Sequence, residues 1–189
     1  MYKNIEIEFK NVITKDEYES LLKEFKLENN VFKQVNYYFD TKDLDLNKKD
    51  IVLRIRQKGD SRFKLTLKKQ NEKESFEYHV FIKPDVAHQI IKDGFNVRDF
   101  FSLDDMNFDV TFYVSLDNYR ASTPYEKGTL FIDKCIYCNI VDYEVEYEVI
   151  NYDEGLFSFN DFLKKHNIKP QTTKRKSDRA LSCVCAIKE

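Results

Sequence analysis

The chain has 189 residues, 42% of them hydrophobic and 15% aromatic, which is enough for a real core and too apolar for a disordered segment. Charged residues make up 34%, yet the formal net charge is only −2; this balance excludes an unspecific nucleic-acid binder, so any polyanion site has to come from charge segregated locally. With 4 Gly and 3 Pro there is no glycine-rich phosphate loop, and no apolar run reaches the roughly 18 residues that span a bilayer.

Residues 3–10 read as a first strand. Alternation puts Glu6, Glu8 and Lys10 on one face and Ile5, Ile7 and Phe9 on the other. Two carboxylates about 7 Å apart along a strand repel unless a cation lies opposite them. Thr14-Lys-Asp-Glu17 is a capping box, and Ile13 and Tyr18 fit the hydrophobic staple around it. Tyr18, Leu21, Leu22 and Phe25 then form a helical apolar stripe to about Leu27. Strands follow at 33–40, 51–58, 62–69 and 74–81, with a tight turn at Gly59-Asp60. Pro84 opens a helix that Gly94 can close, and a second short helix is expected from Val97 to Phe101. Strands resume at 109–122, 128–136 and 140–150. A helix is expected over Ser158–Lys165, and another short one from Asp178 onward.

In the third strand Arg54, Arg56 and Lys58 oppose Ile51, Leu53 and Ile55; in the fourth Lys64, Thr66 and Lys68 oppose Phe63, Leu65 and Leu67. In the late acidic strand Asp142, Glu144, Glu146 and Glu148 oppose Val141, Tyr143, Val145, Tyr147 and Val149. Taken singly, each such strand belongs in an open sheet with its charged face in water. Taken together they do not fit that picture. Acids gather on the first and the late strand and bases on the third and fourth, whereas solvated faces usually mix signs. About eight strands suffice to close a barrel. The predicted class is therefore α+β: an eight-stranded antiparallel β-barrel with a polar interior and helices packed outside, forming one domain over 1–189.

The ordered set Glu6-Ile-Glu8-Phe-Lys10, Tyr38-Phe-Asp-Thr41, Leu53-Arg-Ile-Arg56, Leu65-Thr-Leu-Lys68, Arg120, Glu144-Val-Glu146-Tyr-Glu148 and Lys174-Arg-Lys176 resembles the CYTH superfamily, the triphosphate tunnel metalloenzymes. The likeness is nearest to its short, single-domain, YjbK-like bacterial branch and covers nearly the whole chain. It implies an enzyme, a divalent-metal-dependent triphosphatase. Inorganic triphosphate is the first candidate substrate, with class IV adenylate cyclase, thiamine triphosphatase and a non-catalytic polyphosphate- or nucleotide-binding module as alternatives. The implied cofactor is Mg²⁺ or Mn²⁺.

On that resemblance Lys10, Arg54, Arg56, Lys64, Lys68, Arg120, Lys174 and Lys176 contact phosphates, Arg as a bidentate donor and Lys as a point charge. Glu6, Glu8, Glu77, Glu144, Glu146 and Glu148 are the metal candidates, since hard cations prefer carboxylate oxygens. Glu6, Glu8, Glu146 and Lys10 carry the catalytic assignment. Glu74 competes with Glu77, and because the two differ in strand parity only one can face inward. Lys174 and Lys176 both point inward only if their segment is extended. Asp40 anchors a strand end, reaches the interior or forms a turn, Asp133 is either inward-facing or satisfies a loop, His79 shares the parity of Glu77, and His88 and His166 read as helix-surface residues. The four cysteines, Cys135, Cys138, Cys183 and Cys185, read as reduced thiols rather than a zinc site. The expected partner is a small-molecule triphosphate or polyphosphate, with no nucleic acid and no membrane, and the sequence leaves room for a homodimer. The expected location is the cytoplasm.

Overall fold

The structure, a computed structural model, describes residues 2–71 and 73–187. Among the described residues there are nine strands: β1 (Tyr2–Ile13), β2 (Phe32–Asp40), β3 (Ile51–Lys58), β4 (Arg62–Gln70), β5 (Ser75–Ile82), β6 (Phe95–Asn96), β7 (Asp109–Tyr125), β8 (Gly128–Tyr137) and β9 (Ile140–Val149). Their order is β2-β3-β4-β5-β1-β9-β8-β7, and a further β2–β7 pairing closes the eight long strands into a barrel. The two-residue β6 only extends β7. The described residues also form the helices α1 (Lys15–Glu24), α2 (Asp45–Lys48), α3 (Pro84–Asp93), α4 (Tyr152–Lys165) and α5 (Lys176–Ile187). Among the described residues no helix is long and apolar enough to cross a membrane.

The chain divides into two compact units, one of Met1–Ile5, Gln34–Leu116 and Arg175–Glu189, the other of Glu6–Lys33 and Asp117–Lys174. The first has its own core. Leu53, Ile55, Leu65 and Leu67, the odd residues of β3 and β4, are fully buried with Ala87 and Ile90 of α3 and with Val97, Phe101 and Met106. Pro84 opens α3, where its missing N–H costs nothing, and Gly94 ends it at φ +78. A Cβ on Gly94 would lie 2.5 Å from the Val110 carbonyl oxygen, so backbone and chirality both demand glycine there. The expected helix at Val97–Phe101 is a single 3-10 turn, Val97–Asp99, capped by Asn96.

α2 was not expected from the sequence. Asp40, at the end of β2, builds it: its carboxylate accepts hydrogen bonds from the backbone N–H groups of Thr41 (2.8 Å), Leu46 (2.9 Å) and Asn47 (3.0 Å). Burial raises the Asp40 pKa above its ordinary value even though these three donors pull it down. Asp40 is thus the anchor of a strand end. α5 begins at Lys176, two residues earlier than expected, and is tied down by Asn47 Nδ2, which donates to Asp178 Oδ1 at 2.9 Å.

The second core belongs to the other unit. α1 begins with the predicted capping box: the Glu17 N–H donates to Thr14 Oγ1 at 3.2 Å, and the Thr14 N–H to Glu17 Oε2 at 2.6 Å. The helix buries Tyr18, Leu21 and Leu22 with Ile13, Ile132 and Val145, each buried side chain worth on the order of 1.5–3 kcal/mol. α4 starts six residues before the expected Ser158, because Asn151 caps it through the Glu154 N–H at 3.0 Å. Gly155 hides that first turn from a propensity reading. It is there because a Cβ would stand 2.5 Å from Val149 Cγ2 and 2.8 Å from Phe9 Cε2, so only glycine lets the helix approach the sheet this closely.

Candidate active site

In the first unit the antiparallel register places Arg56 opposite Lys64, Arg54 opposite Thr66, Lys68 opposite Glu77 and Thr66 opposite His79. Arg54, Arg56, Lys64 and Lys68 therefore share one face, away from the core described above. Glu77 is the sole acid of β3, β4 and β5. Its Oε1 lies 3.6 Å from Arg54 Nη2 and 3.7 Å from Lys68 Nζ. The same oxygen makes no hydrogen bond, so these contacts are electrostatic and beyond hydrogen-bonding reach. Arg56 Nε donates to Asn36 Oδ1 at 3.0 Å, Asn36 being its cross-strand partner.

This face is not wet. Gln34, Asn36 and Thr66 on it are at most 1% exposed, which rules out an open sheet with its charges in solvent. His79 shares the face; burial, and next the Lys64 charge, lower its pKa below the ordinary imidazole value. Its ring stacks on Tyr2 with centroids 5.6 Å apart.

The second unit is stocked with the opposite sign. Its register sets Glu8 against Glu148, Lys10 against Glu146, Asp133 against Glu144 and Arg120 against Asp133. Two carboxylate trios result, Glu6–Glu8–Glu148 and Asp133–Glu144–Glu146, and in each the three residues offer oxygens within 4.8 Å of one another. The second trio holds a cation already. Arg120 Nε donates to Asp133 Oδ1 at 2.7 Å, and its Nη2 donates to Asp133 Oδ2 at 2.5 Å and to Glu146 Oε2. The guanidinium also lies over the Phe131 ring, 4.3 Å from its centroid. Burial by itself would lower the Arg120 pKa, but Asp133 and then Glu146 hold it well above its ordinary value.

In the first trio the acids act on one another. Burial, then the charge of Glu6 and a hydrogen bond with it, then Glu8, push the Glu148 carboxyl from 4.5 up to about 8, with Arg120 pulling weakly the other way. Lys10 Nζ stands 3.7 Å from Glu8 Oε1. Three hard oxygen donors crowded enough to keep one proton at neutral pH have the chemistry of a divalent-cation site, in which the metal displaces that proton. The residues present therefore fit a metal, Glu6, Glu8 and Glu148 better than the Arg120-bound trio.

Several expectations are resolved by these positions. Glu77, not Glu74, faces the cations: Glu74 lies in the turn before β5, where its N–H donates to Asn71. The three glutamates of β9 are divided, with Glu144 and Glu146 in one trio and Glu148 in the other. Asp133 is inward-facing and fully buried, and it accepts from Arg120 through both carboxylate oxygens. Lys174 and Lys176 do not share an extended segment, since Lys176 is the buried first residue of α5 and Lys174 is exposed.

His166 is not a surface residue. Its side chain is 8% exposed and its Nδ1 is 3.2 Å from Glu24 Oε2. Of the cysteines, Cys135 is a buried free thiol, whereas Cys138 and Cys183 are disulfide-bonded, a correction to the reading of reduced thiols. The Cys185 side chain lies outside the described residues.

Two contributions were missed in the sequence. Asn11 interrupts the apolar face of β1 and is 2% exposed; its Nδ2 donates to the Lys169 carbonyl at 3.1 Å and its Oδ1 accepts from the Gln171 N–H at 2.6 Å, so it ties the chain beyond α4 to the sheet. Gln34 and Asn36 alternate with Val35 and Tyr37, which was the available signal that polar side chains on β2 also face inward.

A family model of the CYTH domain matches residues 4–181. The chain is 34% identical over 182 residues to YjbK of Bacillus subtilis (strain 168), a protein provisionally assigned as a triphosphatase, covering 93% of this chain and 94% of that one. A solved structure from Bacillus halodurans, provisionally assigned as an adenylate cyclase, is 29% identical with a TM-score of 0.85, covering 95% and 98% of the two chains. A Hippeastrum structure, described as a provisional adenylyl cyclase with a dominant triphosphatase activity, shares the fold at a TM-score of 0.72 and 21% identity, over 94% of each chain. With a matching model over nearly its whole length and a relative of this identity, the chain belongs to the CYTH domain family.

Proposed function

We propose that this protein hydrolyses a linear triphosphate, inorganic tripolyphosphate before any other, and that it works with Mg²⁺ or Mn²⁺. The observation that carries this reading is the opposite stocking of two strand sets. β3–β5 carry Arg54, Arg56, Lys64 and Lys68 with one acid; β1, β8 and β9 carry two carboxylate trios, beside Arg120 of β7. A protein that only held polyanions would have no use for the trios, and one that only held metal would have no use for the cations. Membership in the family and the provisional assignment of the Bacillus subtilis relative point the same way.

In this reading Arg54 and Arg56 bind phosphoryl oxygens through planar, bidentate donors, and Lys64 and Lys68 add compact charge. Glu77 balances Arg54 and Lys68, and remains the weakest of the metal candidates. Glu6, Glu8 and Glu148 are the first choice for metal ligands, with Glu144 and Glu146 the second. Arg120 fixes Glu146 so that this carboxylate orients the attacking water rather than competing for its proton. Lys10, with Lys174 and Lys176, completes the neutralisation of the substrate. A bound divalent cation supplies further neutralisation of phosphoryl oxygens and acidifies water. Water oxygen joins the terminal phosphorus, pyrophosphate departs, and one proton passes to solvent. Positioning and charge stabilisation are the main catalytic needs of such a transfer.

The test is incubation of the purified protein with tripolyphosphate, ATP or thiamine triphosphate and Mg²⁺ or Mn²⁺, following phosphate, pyrophosphate and cyclic AMP. Phosphate from tripolyphosphate with little from ATP is the expected result. Cyclic AMP from ATP would establish the cyclase reading that the Bacillus halodurans assignment suggests. Tight binding with no turnover in either metal would replace the enzyme with a binding module.

A further inference from the structure

Asn36 lies on β2 opposite Arg56 and is fully buried. Arg56 Nε is a donor, so the amide must turn its oxygen toward it, and it does, at 3.0 Å. That bond fixes the other end of the amide. Asn36 Nδ2 is buried and has no hydrogen-bond partner in the protein. Gln34, two residues earlier on the same face and 1% exposed, has no partner for either amide atom. A buried donor left unpaired is costly, and native proteins rarely keep one without a water or a ligand to meet it.

The neighbours say which ligand. Arg56, Arg54, Lys64 and Lys68 are donor-only groups on the same sheet face. A neutral N–H pinned by Arg56 on that face adds one more donor without adding charge. The group that meets such a set accepts hydrogen bonds with several oxygens, as a phosphoryl group does.

We propose that Asn36 is a substrate-contacting residue, its Nδ2 donating to an oxygen of the phosphoryl group held by Arg56. This inference rests on the triphosphate reading above and adds to it a neutral donor whose direction is set by an arginine. Asn36 does two things at once. Its oxygen holds the Arg56 side chain in place, and its nitrogen contacts the ligand.

The experiment is steady-state hydrolysis of tripolyphosphate with Mg²⁺ by the unaltered protein, Asn36→Ala and Asn36→Asp, with a melting temperature for each. Asn36→Asp keeps an acceptor for Arg56 Nε and removes the donor; Asn36→Ala removes donor and acceptor together and adds no charge. Both variants should raise KM on the order of ten-fold, the size of one hydrogen bond to a charged group, with kcat changed by less than about three-fold. A KM unchanged in Asn36→Ala and raised only in Asn36→Asp would mean that added charge is the whole effect, and would overturn the contact. A fall in kcat with KM unmoved would overturn it too. If the unaltered protein hydrolyses tripolyphosphate and both variants match it, the contact is wrong and the functional reading stands. If the unaltered protein neither binds nor hydrolyses it, that reading falls and this inference with it.

Discussion

On β3–β5 Arg54 and Lys68 share one carboxylate, Glu77, at 3.6 Å and 3.7 Å. In the other unit the proportions are reversed: Arg120 is gripped by Asp133 and Glu146 while Glu6, Glu8 and Glu148 crowd one another. Both sets rest on buried apolar residues that alternate with them on the same strands, Leu53, Ile55, Leu65 and Leu67 in the first and Leu130, Ile132, Val145 and Tyr147 in the second. The difference shows how one kind of backbone holds charge excess of either sign. Part of the acidic excess is neutralised by an arginine, while burial and the charges of Glu6 and Glu8 raise the Glu148 pKa. Each unit thus carries a local excess of one sign, basic on β3–β5 and acidic in the other unit.

Substitutions can break this contrast, and they rank by free energy. Arg120→Ala should be the most damaging, because it strands the Asp133 and Glu146 carboxylates in a buried place. Removing one partner of a buried ion pair costs about 3–5 kcal/mol, and a thermal or urea melt would read it; saturating Mg²⁺ should return part of the loss. Next comes Glu6→Gln, which removes a metal candidate while leaving the core intact. Its kcat should fall on the order of a hundred-fold or more, with an unchanged melting temperature, and a Glu6→Gln, Glu8→Gln double variant that retained full activity would contradict the metal assignment. Arg56→Ala should mainly weaken substrate binding, raising KM on the order of ten- to a hundred-fold as one charge-assisted contact is lost.

A pH titration sharpens the same contrast. Glu148 is raised from 4.5 to about 8 in the folded protein. The folded state therefore holds a proton that the unfolded state has released. Stability from this group is fully present below about pH 4.5, is lost as pH rises toward about 8, and is flat above it. Metal-free protein should melt progressively lower across that window, and Glu148→Gln should flatten the slope. Added Mg²⁺ should flatten it as well, since the cation takes over from the proton in balancing Glu6, Glu8 and Glu148. The smallest effect belongs to an exposed pair. Lys127→Ala removes a contact of 3.0 Å to Glu154, yet it should shift stability by only about 0.2–1 kcal/mol.

Much of the architecture was legible because period-2 alternation is a strong signal: the eight long strands stand within a few residues of their expected positions, and α1 is announced by its capping box. α2 was missed because four residues carry no periodicity, and what builds it is Asp40 reaching six and seven residues ahead. The start of α4 was missed because Gly155 reads as a breaker, whereas it marks a close approach of helix to strand. At the site, the identities of the charged residues were legible and their partnerships were not. Parity told that either Glu74 or Glu77 faces inward; the register told that it is Glu77, opposite Lys68. Asp133 was undervalued because one Asp on a strand has no pattern of its own, and Asn36 was missed although its alternation with Val35 and Tyr37 marks its face.

What the amino-acid order determined by itself was the alternation of charge and grease on each strand, because a residue's face depends only on its position along an extended backbone. What tertiary structure alone decided was which charges meet. Cross-strand register places Arg120 beside Asp133 and leaves Glu148 with Glu6 and Glu8, and the shifted acidity of Glu148 follows from that neighbourhood. Register depends on loops, caps and close helix packing far along the chain, so the electrostatics of the site exist only once those distant parts have folded.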